Sequence, residues 1–238
     1  NFRHTATLDK KIKRATAYIT SHGQYEAYIN GTRVGDAYMT PGWTSYNKRL
    51  QYQAFDVTSL LQRGENVIAV EVAGYNDDSY YLLNQPSFLQ AEVEINGEVV
   101  AATGNGDDFV AYDLKQRKQD VPEFSFQRPH TEYYILSADF QQWLSDAAWQ
   151  GAEAVKLVEQ PTKTLLSRHV EYPDYRLHDA TPQENNIYAF ECNSTGFLGV
   201  KVKVEEPTRL QVRFDEVLWE DGNVNASRLG CQAYIIYE

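Results

Sequence analysis

The 238 residues include a single methionine, two cysteines and five histidines. These scarcities remove several kinds of chemistry. Cys192 and Cys231 lie far apart, so they build neither a CxxC redox motif nor a cysteine zinc site, and they read as free thiols. His4, His22, His130, His169 and His178 are scattered without the spacing of metal ligands. No apolar run approaches the roughly 20 residues that a membrane helix needs. Positive charge is short as well: 22 Lys and Arg stand against 33 Asp and Glu, a net charge of -11. A surface this acidic does not attract nucleic acid or an anionic membrane, which both require cations to offset phosphate. There is no G-x-S-x-G, no H-E-x-x-H and no phosphate-cradling glycine loop. Asn1-Phe2-Arg3-His4 offers neither a start methionine nor the apolar core of a signal peptide, as expected of a piece excised from a longer protein.

What is abundant is aromatic: 17 Tyr, 10 Phe and 4 Trp. Such residues favour strands and supply flat rings on which sugars stack. From Arg14 the apolar positions alternate, Ala15, Ala17 and Ile19 and then Tyr25, Ala27 and Ile29, and a period of two means half-buried strands. Asn30-Gly31 and Asn96-Gly97 each separate two such runs, and Asn-Gly suits the positive φ of a type I′ hairpin. Leu50–Asp56 and Val67–Val72 read as strands, and Thr58–Arg63 between them as one helical turn capped by Thr58 and closed by Gly64. The sole helix candidate is Asp139–Trp149. Residues 153–185 contain Pro161, Pro173 and Pro182 with little periodicity, as in a linker, so a domain boundary is expected near 160. Strand character resumes at Ile187–Phe190, Leu198–Val204 and Arg209–Leu218. Many short strands with almost no helix predict an all-β sandwich or barrel. Too few strands follow residue 160 to close a second sandwich, which is expected to be partial.

Between residues 17 and 70 a set of turn motifs occurs in a fixed order: Gly23-x-Tyr25-Glu26, Asn30-Gly31-x-x-Val34-Gly35, Pro41-Gly42-Trp43-Thr44-x-Tyr46, Tyr52-x-x-x-Asp56-Val57-Thr58 and Gly64-x-Asn66. In this order they resemble the N-terminal region of bacterial α-L-rhamnosidases, glycoside hydrolases of the family 78 type. Gly196-Phe197, Val200–Val204 and Asp215–Gly222 resemble the start of the next β domain of the same enzymes. The resemblance implies a jelly-roll, galactose-binding-like β-sandwich over residues 1–160 and the beginning of a second β-sandwich over 161–238. It implies a bacterial protein, periplasmic or extracellular rather than cytoplasmic. It also implies a role as a non-catalytic accessory portion of a hydrolase of rhamnose-containing glycans. In such enzymes two carboxylates of a separate (α/α)6 barrel perform hydrolysis with inversion, one protonating the leaving oxygen and the other activating water. That barrel, the missing domain of the same polypeptide, is then the expected partner, and no catalytic residue is assigned to this chain. Two alternatives share these features: a free-standing carbohydrate-binding module, and the accessory β domain of a β-galactosidase-like glycosidase. The chain departs from the rhamnosidase pattern where a Gly-Trp-Tyr segment is usual and Gly74-Tyr-Asn-Asp-Asp-Ser-Tyr-Tyr81 stands instead, which points to a divergent branch with another deoxysugar or related glycoside as substrate.

Trp43, Tyr46, Tyr75, Tyr80 and Tyr81 fall in loops beside strands, where rings can stack on a sugar face. The alternative, favoured by the burial habits of aromatic residues, is that Trp43 and Tyr46 plug the core beneath a long loop. Asn76, Asp77 and Asp78 cluster oxygen donors of the kind calcium takes, as do Asn105, Asp107 and Asp108. Solvated turns are the plainer reading of both clusters, and no cofactor is required. Asp215 and Glu216 are adjacent on an expected strand and so point to opposite faces, which suits a solvated edge or turn better than a catalytic pair.

Overall fold

A computed structural model describes residues 1–74, 85–105, 108–126, 128–159 and 162–238. In chain order the strands are β1 (Phe2–Leu8), β2 (Ala15–His22), β3 (Gln24–Ile29), β4 (Thr32–Arg33), β5 (Arg49–Asp56), β6 (Gly64–Ala73), β7 (Phe88–Ile95), β8 (Glu98–Ala102) and β9 (Val110–Ala111). They continue as β10 (Glu123–Ser125), β11 (Arg128–His130), β12 (Glu132–Tyr134), β13 (Glu153–Ala154), β14 (Thr164–Ser167), β15 (Thr181–Pro182), β16 (Tyr188–Ala189), β17 (Leu210–Arg213) and β18 (Tyr234–Tyr237). The described residues hold no α-helix, only three 3-10 turns. The protein is all-β.

The chain divides into two compact units, Asn1–Leu114 with Asp139–Tyr172, and Lys115–Ala138 with Pro173–Glu238. The single cut expected near residue 160 gives way to an interleaved path. β12 pairs in parallel with β18 inside the second unit, while β14 returns to pair in parallel with β5 of the first. A proline-rich stretch that reads as linker therefore contains an edge strand.

The first unit is the jelly-roll sandwich. One sheet runs β13-β9-β1-β6-β3-β4 and the other β14-β5-β2-β7-β8. Alternation along the strands sends one face of each sheet inward, and the core joins Ala17 and Ile19 of β2, Ala27 and Ile29 of β3, Ile68 and Val70 of β6, and Ala91, Val93 and Ile95 of β7. Both Asn-Gly pairs form the expected hairpins. Asn30 and Gly31 have φ of 52° and 78°, Asn96 and Gly97 of 54° and 87°, and Ile29 faces Thr32 as Ile95 faces Glu98.

Two local expectations fail for identifiable reasons. Residues 139–149 make a single 3-10 turn, Gln142–Leu144, not a helix. Trp143 and Leu144 both turn inward onto Val67 and Ala69, on the outer face of β6. Buried Arg3 donates to the carbonyls of Trp143 (2.6 Å) and Asp146 (2.5 Å), which a helix would need for itself. Residues 58–63 are likewise a turn without a helix. Asp56 Oδ1 accepts the Thr58 N–H at 3.0 Å, so Asp56 supplies the cap, while Thr58 Oγ1 accepts the N–H of Ala15 and pins the start of β2.

The second unit has little interior. Its sheet is β12-β18-β17, beside the two-stranded pairs β10-β11 and β15-β16. Among those of its residues whose burial is described, only Ile236 and Thr131 are buried.

Candidate functional site

The segment from Thr40 to Tyr46 is held from several directions. Tyr25 N donates to Thr40 O at 2.9 Å, and Thr40 Oγ1 donates back to Tyr25 O at 2.5 Å. The Thr40–Pro41 bond is cis. Pro41 O accepts from Gln53 Nε2 (2.7 Å) and Arg168 Nη1 (3.2 Å), and the buried Tyr25 hydroxyl donates to Gln53 Oε1. Burial drives the Tyr25 phenol far above its ordinary range, so it remains a neutral donor. Gly42 sits at φ 102°, and a Cβ there would lie 1.9 Å from Arg168 Nη1, so glycine lets the guanidinium close on the loop. The Arg168 guanidinium also stacks 4.3 Å from the centroid of the Tyr172 ring.

This anchoring presents Trp43 to solvent. Its backbone carbonyl accepts from Gln51 Nε2 at 3.3 Å, but 69% of the residue is exposed, so it does not plug the core. Tyr46 is half-buried, meets the Trp43 ring edge-on with centroids 5.8 Å apart, and donates its hydroxyl to Gly42 O at 3.2 Å. Partial burial raises its pKa. An exposed indole beside an aromatic edge on an anchored loop is of the kind that can stack on the apolar face of a pyranose ring. Tyr75, Tyr80 and Tyr81, and the calcium candidates Asn76, Asp77 and Asp78, lie outside the described residues. In the second acidic cluster the Asp108 carboxylate accepts the Ala102 N–H through Oδ2 at 2.7 Å, and the Asn105 amide oxygen accepts the Asp108 N–H at 3.2 Å, so both side chains tie down local backbone. Among the described residues no three His, Cys, Asp or Glu side chains cluster as metal ligands.

Contrary to the opposite faces expected of them, Asp215 and Glu216 both face Arg228, whose Nη2 lies 2.6 Å from Asp215 Oδ1 and 3.7 Å from Glu216 Oε2. Asp215 lies in a turn after β17, and its carboxylate is gripped by Arg228 through Nε (2.7 Å) and Nη2 (2.6 Å). Its side chain is only 7% exposed, so the solvated edge expected of it is instead a shielded ion pair. The Arg228 hydrogen bonds, opposed by burial and aided by the N–H groups of Glu216 and Val217, hold its pKa below the usual carboxylate range. A carboxylate so paired makes a poor proton donor. Both cysteines are free thiols. No described helix is long and apolar enough to cross a membrane.

Residues 10–86 match the family model of the alpha-L-rhamnosidase N-terminal domain. Similarity to rhamnosidases continues beyond this segment. The chain is 29% identical to an alpha-L-rhamnosidase of Streptomyces avermitilis over 95% of its own length and 23% of the relative's. In structure it matches the alpha-L-rhamnosidase of Dictyoglumus thermophilum with a TM-score of 0.76 at 28% identity, over 99% of this chain and 27% of that one. The S. avermitilis alpha-L-rhamnosidase complexed with L-rhamnose matches with a TM-score of 0.63 at 26% identity, over 99% and 24% of the two chains. The chain thus spans about a quarter of the length of the curated relatives it matches. Within residues 10–86 the ordered motifs turn out to be turn and anchor chemistry. Tyr25 stands in one of the ordered motifs, Gln53 reads only as a strand residue and Arg168 lies in a stretch of little periodicity, and the sequence does not connect these three to the Trp43 loop.

Proposed function

We propose that this chain is the non-catalytic accessory β portion of an α-L-rhamnosidase-type hydrolase of rhamnose-containing glycans, and that it supports a catalytic barrel elsewhere in the same polypeptide. The observation that carries this reading is the near end-to-end match to rhamnosidases over only about a quarter of their length. The chemistry agrees: the carboxylates the sequence offers as a pair are a turn residue locked by Arg228 and an exposed neighbour, a poor set for acid and base. Deleting residues 1–238 from the parent protein tests the supporting role. The parent's thermal midpoint should fall by several degrees, as loss of a stabilising domain contact requires; an unchanged midpoint would refute support.

Sugar recognition by this chain is a second reading, favoured by the exposure of Trp43. Calorimetric titration of the chain with L-rhamnose and a rhamnose-rich oligosaccharide, with and without calcium, should give saturable heat that disappears in Trp43→Ala. Heat that survives Trp43→Ala would remove the loop from recognition, and a calcium requirement would direct attention to Asn76, Asp77 and Asp78.

A further inference from the structure

Val200, Val202 and Val204 alternate with Lys201 and Lys203, the pattern of a strand with one apolar face. Yet residues 199–204 join no sheet, and no backbone hydrogen bond from another described residue reaches them. The three valines are 54%, 56% and 54% exposed. A strand-forming sequence that leaves its apolar face half exposed and pairs with no described residue lacks the cross-strand contacts and the ladder that stabilise a strand. The rest of the second unit repeats the deficit. Its sheet leaves the outer edge of β17 without a neighbour among the described residues, and Val217 and Trp219, past β17, are 52% and 54% exposed. With Ile236 as its buried hydrophobic residue, this unit lacks the interior that a domain of its size needs.

We infer that residues 199–204 are a β-strand of the second unit whose pairing partner is an extended segment of the same polypeptide outside these 238 residues. That segment carries apolar side chains toward the Val200-Val202-Val204 face and acidic side chains opposite Lys201 and Lys203. Relatives about four times as long as the chain provide ample polypeptide for it. The two lysines argue against a second copy of this strand, because antiparallel self-pairing sets like charges against each other. The inference rests on the reading of the chain as part of a longer rhamnosidase-type protein and names the surface through which the second unit is completed.

Amide hydrogen exchange of residues 199–204, measured in the 238-residue chain and in the parent protein, tests it. Exchange should be fast in the chain and on the order of 100-fold slower in the parent, as for a strand brought into a ladder. In the parent, Val202→Asp should restore fast exchange at 199–204 while the amides of β2 and β7 stay protected. Equal, fast exchange in both proteins would overturn the inference, as would slow exchange in the isolated chain, whether it arises within one chain or from self-association seen by sedimentation. Hydrolysis of an aryl α-L-rhamnoside by the same parent sample separates the two levels. Activity without protection would sink the strand and spare the functional reading, and protection without activity would do the reverse.

Discussion

Asn66 is fully buried, and its amide is completely used. Oδ1 accepts from Asn30 Nδ2 (3.0 Å) and Gln62 N (2.8 Å), and Nδ2 donates to Gln62 O (2.7 Å) and Gly64 O (3.0 Å). The Gly64-x-Asn66 motif is thus a clamp that ties the entry of β6 to the Asn30-Gly31 hairpin. Asn66→Ala leaves the Asn30 amide and the part-buried backbone groups of Gln62 and Gly64 without this partner and empties a buried position, so it should cost about 2 kcal/mol in urea unfolding of the chain, with an unchanged m-value. A loss near zero would mean that water replaces the amide. His22 gives a second residue-scale expectation. It stacks on its cross-strand neighbour Phe88 at 5.9 Å, and burial, with Lys163 adding repulsion, lowers its pKa from 6.5. The neutral ring is therefore favoured in the folded state. Its contribution is complete above the unfolded pKa of 6.5 and is lost as pH falls from there through the lower folded value. Thermal midpoints at pH 8 and pH 5 should differ more for the wild type than for His22→Gln; equal differences would show that His22 does not set this dependence.

At the scale of elements, the turns were the readable part. Asn30-Gly31 and Asn96-Gly97 announced their hairpins because few residue pairs tolerate two consecutive positive φ angles. The two glycines nonetheless differ in their surroundings. A Cβ at Gly97 meets nothing within 4 Å, so Gly97→Ala should cost only the conformational penalty of about 1 kcal/mol. A Cβ at Gly31 comes 3.0 Å from Ser145 Cβ, so Gly31→Ala should cost more, and paired denaturation curves with the opposite order would contradict this packing. What could not be read was anything decided by a distant partner. Residues 139–149 have helical composition, but Arg3, far away in sequence, takes the carbonyls. β14 has no pattern of its own and exists because the edge of β5 is there to receive it. Arg168 reaches the Trp43 loop through that same pairing, which is why part of the candidate site was invisible. Trp43 itself was found, but its exposure depended on the Gln53 and Arg168 anchors beneath it.

At the scale of the molecule, the two units differ in kind. The first closes its own core between two sheets, and Val67 and Ala69 on the reverse of β6 are covered by Trp143 and Leu144. The second buries little and leaves the outer edge of β17 without a neighbour among the described residues. Fold class followed from alternation and turns because these are local, whereas the path between units depended on strands pairing across more than a hundred residues. The functional account rests on a division of labour, with hydrolysis assigned to polypeptide outside these residues. Its central claim is tested most directly by following release of the aryl group from an aryl α-L-rhamnoside by the 238-residue chain and by the parent protein at equal molar concentration. The account predicts turnover by the parent and none above the uncatalysed rate by the chain; turnover by the chain alone would contradict it.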